Sequence, residues 1–198
     1  GGSRYCRDVR AVILAVMIGC NPGSKAPPPP PPPAAASGVH SDVHVDRRVE
    51  LVSIVCALAG FKEYTHGQVN PYRTEVVTAF RPFLDHPAVA MARQLRADNG
   101  IGYDAPMIFA VHLDDHLQLR DAAELATLDA RWQGVDVEAY AAALRDFAKA
   151  SKLDEFLAAH RDHYKQIEDA LRAAVDAEHP IEWFDATFGK REHATYTV

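Results

Sequence analysis

His112 and His116 stand four apart in His-Leu-Asp-Asp-His. On a helix that spacing puts both imidazoles on one face, as a zinc pair requires. Asp114 and Asp115 lie between them and do not share that face. The segment is not clearly helical either, so the pair is a metal candidate set against a polar surface turn. His160 and His163 are three apart, with Arg161 and Asp162 around them, and read as a solvated helix face. Glu50 is a carboxylate on a largely apolar helix. Such a group must be paired or hydrogen-bonded, or its pKa rises. Arg47, one turn away, is the expected partner, and a first-turn position favours an acid through the helix dipole. The alternative is that Glu50 faces a cleft. Cys56 sits mid-helix among apolar residues and is expected to fill the core; a nucleophile would need an activating, partly exposed setting.

No complete catalytic constellation accompanies these residues. There is no G-x-S-x-G, P-loop or Rossmann glycine set, and no H-E-x-x-H. The Glu-His pairs at 178–179 and 192–193 have Val175 and Gly189 where an H-x-x-E-H motif needs its first His. The sequence therefore assigns no catalytic residue and no cofactor to this chain.

The element that organises the rest is Val43 to Gly60. Val43 and Val45 alternate with His44 and Asp46, which predicts a short strand. Asp46 then suits a helix N-cap. From Val49 the chain is apolar nearly all round, the mark of a core helix. Asp46, Glu50 and Ser53 form a narrow polar stripe on it, with Arg47 beside them. Asn70-Pro71 predicts a helix start and Pro82 its end. Asp85-His86-Pro87 opens the next helix, which Asn99-Gly100 closes with a left-handed cap. Asp104 is a possible cap for Met107 to Val111, a run too short to separate helix from strand. Residues 112–134 are ambiguous. Val135 to Ala150 reads as an amphipathic helix facing inward with Val137, Tyr140, Ala141, Leu144 and Phe147. Leu153 to Ala177 reads as a single longer one, broken by His179-Pro180. A short helix from Trp183 to Phe188 ends at Gly189, and His193 to Val198 alternates like a strand. The fold expected is mainly α with a few short strands, an α+β class.

The N-terminal part has another character. Arg4, Arg7 and Arg10 precede the apolar run Ala11 to Ile18, and small Gly19 precedes Cys20, the pattern of a secretion signal over residues 1–19. Met17-Ile18-Gly19-Cys20 resembles the lipobox of bacterial lipoproteins. The resemblance implies that Cys20 is the first mature residue and carries the lipid, and that Cys6 is lost. Each CH₂ buried in the bilayer would contribute roughly 0.8 kcal/mol of anchoring. Residues 20–42 form a linker with Pro27 through Pro33 unbroken. Such a run takes the extended polyproline form and spaces a domain from its anchor. A proline-rich ligand for another protein is the alternative. The formal charge of −6 and the lack of a basic run argue against nucleic acid.

Four stretches carry a further resemblance: Val45 to Leu51 (VDRRVEL), Leu58 to Tyr64 (LAGFKEY), Phe83 to Val89 (FLDHPAV) and Tyr103 to Pro106 (YDAP). Together they resemble a family of uncharacterised bacterial lipoproteins carrying a domain of unknown function. Longer members of that family resemble zincin-like metallopeptidases with an H-E-F-x-H helix, whose two His bind zinc while the Glu acts as general base on the bound water. The resemblance implies that residues 43–198 are the helical N-terminal part of a zincin-like domain, truncated at its C-terminus. Zinc is expected only with a downstream H-E-x-x-H segment, and a peptide or protein substrate only in a full-length parent. Glu50 and Tyr103 are the candidates for lining its cleft. The location implied is the bacterial cell envelope, exported and held to the membrane through Cys20. The competing reading is a non-enzymatic lipoprotein interaction module, complete as it stands.

Overall fold

The computed structural model describes residues 43–65, 70–120 and 125–190. The signal, the linker, Cys6, Cys20 and the strand expected over 193–198 lie outside them. The described part is mainly α, as expected. In chain order its α-helices are α1 (Arg47–Leu58), α2 (Lys62–Thr65), α3 (Pro71–Phe80), α4 (Pro87–Asn99), α5 (Ala105–Val111), α6 (Val137–Ala150), α7 (Leu153–Ala159), α8 (Arg161–Glu178) and α9 (Pro180–Phe188). Short 3₁₀ turns follow α3 at Arg81–Phe83 and precede α6 at Ala130–Trp132.

Helix α1 is the hub. It packs against α3, α4, α5 and α6. Leu51, Val52, Val55 and Cys56 are buried along it, each large aliphatic side chain contributing roughly 1.5–3 kcal/mol by leaving water. Its start is built as the sequence predicts: the Asp46 carboxylate accepts from the Arg48 N–H at 2.8 Å. The same carboxylate holds the Arg48 guanidinium, whose Nη1 donates to the Leu113 carbonyl at 2.7 Å. One cap thus ties α1 to the turn after α5. Cys56 is buried and its thiol is pushed up by that burial, which suits a core residue.

Aromatic rings fill the two ends of the core. Phe109 stacks on Trp132 with centroids 4.6 Å apart, and Tyr140 closes the group at 5.3 Å from Phe109. Phe80 and Phe147 meet at the other end at 6.0 Å, with Phe156 4.9 Å from Phe80. Rings at these separations add roughly 0.5–1.5 kcal/mol per pair beyond their buried area.

Local signals hold well. The Asn70 side chain caps α3 by accepting from the Arg73 N–H at 2.7 Å. Gly100 closes α4 in the left-handed conformation, and His179 separates α8 from α9. His86 caps α4, its Nδ1 accepting from the Ala88 N–H at 3.2 Å. Nδ1 is therefore unprotonated and the ring proton sits on Nε2, which faces Asp146 at 3.2 Å.

Three expectations are corrected and one open choice is settled. Residues 43–46 form no strand. They are an extended strap held by side chains of α8: Glu168 accepts from the Val45 N–H at 2.8 Å, and Arg172 donates to the Val43 carbonyl at 3.0 Å. Among the described residues the nearest thing to sheet is a single antiparallel bridge between Leu113 and Leu119. The long helix from Leu153 is two helices, broken at His160. There the His160 ring takes the Phe156 carbonyl and reaches across to Glu75 on α3, both at 2.7 Å. Asp104 precedes α5 without a capping bond; its carboxylate pairs instead with Arg131 at 2.9 Å. Met107 to Val111 resolves as helix.

Candidate functional site

Helices α1 and α3 do not close on each other along their whole length. Between them lies a cleft of about 410 Å³. That is within the roughly 300–1,000 Å³ common for small-molecule sites. Ile54, Ala57 and Leu58 of α1 face Val76 and Val77 of α3 across it, and Leu84 lies beyond them. Glu50 and Ser53 line it too, so this part of the polar stripe on α1 faces a cleft. Asp46, the third member, is absorbed by its cap and by Arg48.

Glu50 is not paired with Arg47. The Arg47 guanidinium reaches Asp154 instead, its Nε 2.5 Å from Oδ1. Glu50 Oε2 accepts from the Tyr72 hydroxyl at 2.8 Å. Tyr72 has one proton and gives it to the carboxylate, so the Tyr164 hydroxyl, 2.7 Å away, donates to Tyr72. The result is a chain from α8 through α3 to α1: Tyr164 to Tyr72 to Glu50. Burial raises the Glu50 carboxyl above its ordinary 4.5; the Tyr72 bond and the nearby His163 oppose the shift without cancelling it. Burial likewise pushes the Tyr164 hydroxyl up to about 12, so both phenols hold their protons at neutral pH. The ring of His163 stacks on Tyr72, centroids 4.9 Å apart.

His160 stands next to this chain. Both ring nitrogens face acceptors, the Phe156 carbonyl and the Glu75 carboxylate. Burial acts to lower its pKa, but these two acceptors outweigh it and raise the imidazole above 6.5. The polar face expected for His160 and His163 is thus partly a packed seam against α3.

Tyr103 does not line the cleft. The residue is 70 % exposed and its backbone has φ +56. That left-handed conformation is held from both sides. The Tyr103 N–H donates to Glu63 Oε1 at 2.9 Å, and its carbonyl accepts from the Tyr64 hydroxyl at 2.6 Å. Glu63 also pairs with Arg96. Burial would raise the Glu63 carboxyl, but the Arg96 guanidinium and the Tyr103 N–H hold it at about 2. Gly102 makes room for this cluster, since a Cβ there would lie 2.7 Å from Arg96 Nη1 and 2.8 Å from Glu63 Oε1.

His112 and His116 do not share the helix that the one-face spacing assumed. His112 ends α5, with Nδ1 2.7 Å from the Ile108 carbonyl and Nε2 2.9 Å from Thr127 Oγ1. His116 sits in the turn that follows, where its N–H donates to Asp114 at 2.8 Å. Among the described residues no group of three or more His, Cys, Asp or Glu is placed to hold a metal ion. The sequence flagged Glu50 but missed Tyr72 and Tyr164. No motif marks them; only the packing of three helices brings them to one point.

The class defined by this geometry is a helical domain with an apolar cleft that carries one carboxylate. No family model, curated protein or solved structure matches the chain.

Proposed function

We propose that this chain is a lipid-anchored bacterial envelope protein whose helical domain is a non-enzymatic binding module, with the α1–α3 cleft as its site. The observation that carries this reading is the cleft: apolar walls from two helices, and a carboxylate held in place by Tyr72, with no ion pair to it among the described residues. The anchor rests on the lipobox-like run ending at Cys20, and the proline run beyond it supplies the spacer. Among the described residues no helix is long and apolar enough to cross a membrane. Binding is tested by calorimetry with 1-octanol, a neutral apolar probe. The wild-type domain is expected to take it up, and Ala57→Phe, which fills the cleft, to lose it. Equal binding by the two proteins places the probe elsewhere and refutes the reading.

A second reading is favoured by what the family-like stretches do in the fold. Asp46, Glu63, Tyr64, His86 and Tyr103 all serve as caps or cross-links between elements. They build a frame, as the scaffold part of a zincin-like peptidase would. Zinc and the general base would then come from an H-E-x-x-H helix further along the chain. Sequencing the gene past the Val198 codon separates the two: an open frame with H-E-x-x-H favours the peptidase scaffold, and a stop codon favours the module.

A further inference from the structure

The cleft has a polarity that narrows its ligand. Most polar side chains that line it are already engaged within the protein. The Tyr64 hydroxyl donates to Tyr103 and the Tyr72 hydroxyl to Glu50. Asn70 caps α3, and Thr65 Oγ1 donates back to the Phe61 and Lys62 carbonyls, both at 3.2 Å. Ser53 Oγ lies 3.8 Å from the sulfur of Met107. Glu50 differs. Its Oε2 accepts from Tyr72, while its second oxygen has no hydrogen-bond partner among the described residues. A half-buried carboxylate with an unfilled acceptor, beside a wall of Ile54, Ala57, Val76 and Val77, calls for a donor attached to an apolar body.

We propose that the α1–α3 cleft binds a small amphipathic amine, its ammonium on the second oxygen of Glu50 and its aliphatic body along Ile54, Ala57, Leu58, Val76 and Val77. This rests on the cleft being a binding site. An extended peptide fits it less well, because the walls offer few uncommitted groups for a peptide backbone. Arg73 and Arg81 also line the cleft, which makes a carboxylate head group the competing chemistry. Arg73 already has an interaction of its own. Arg81 is exposed at the end of α3, and an ion pair in water gains little over the two solvated ions. Glu50 has lost part of its hydration on folding, so a donor arriving there replaces what burial removed.

The test is a matched series on the full chain: octylamine, 1-octanol and octanoate, each titrated by calorimetry at neutral pH. Octylamine is expected to bind roughly tenfold or more tighter than either of the others, the worth of one charge-assisted hydrogen bond. Glu50→Gln still accepts from Tyr72 and is expected to abolish the preference for octylamine over octanol. Far-ultraviolet circular dichroism of the variant, matching wild type, reports that it is folded. Octanoate binding as tightly as octylamine overturns the amine assignment but leaves the cleft as a site. An amine preference that survives in Glu50→Gln overturns the role of Glu50. Failure of all three ligands to bind overturns the cleft reading itself.

Discussion

At the residue scale the protein keeps a carboxylate where burial disfavours its charge. Glu50 has a folded-state pKa above 4.5, so between the unfolded and folded values the native state holds more protons than the unfolded one. Stability therefore falls as pH rises from 4.5 through the folded value. Glu50→Gln removes this slope while keeping the acceptor for Tyr72. It is expected to flatten thermal melting midpoints above pH 4.5 and to melt above wild type at pH 7; a variant that melts lower there would show that the carboxylate is a net stabiliser. The sequence identified Glu50 as a carboxylate needing an explanation, but assigned it the wrong partner. Arg47 is three positions away, yet its guanidinium reaches Asp154 across a separation of 107 residues. Tyr72 lies 22 positions from Glu50, and Tyr164 lies 92 from Tyr72. Proximity along a helix predicts only pairs on that helix, whereas these bonds depend on how helices are laid together.

At the element scale, local chemistry was readable and long-range chemistry was not. The caps by Asp46 and Asn70 and the left-handed stop at Gly100 follow from side-chain and backbone preferences within a few residues. The break at His160 does not. Its neighbours support one continuous helix, and α3 supplies Glu75, 85 residues away. The strand expected over Val43 to Asp46 failed for a related reason. Alternation marks a half-buried extended segment, and here Glu168 and Arg172 of α8 satisfy its backbone where a partner strand would. The link between α2 and the start of α5 depends on Gly102. Gly102→Ala puts a Cβ against the tips of Arg96 and Glu63, flexible ends that must move aside, which weakens a partly exposed pair worth up to about 1 kcal/mol. That loss should appear as a lower denaturation midpoint with an unchanged denaturant slope. No loss would mean that Arg96 and Glu63 shift aside without cost.

At the scale of the whole molecule, a helical frame carries a cleft, and in the function proposed above a lipid-type N-terminus would supply its address. The mainly α class could be read from periodicity because most helices bury one face on α1 or on its neighbours. The cleft could not, since it arises from where α1 and α3 diverge. The proposed anchor gives its own prediction: Cys20→Ser is expected to move the protein from the membrane to the soluble fraction, and a variant that still fractionates with membranes through a lipid contradicts the lipobox reading. The proposed function stands on the space between α1 and α3 being a binding site. Methyl-resolved NMR of the full chain during titration with 1-octanol tests it most directly. Saturable shifts centred on Ile54, Leu58, Val76 and Val77 are predicted, whereas an unchanged spectrum, or shifts centred on α8 and α9, would contradict it.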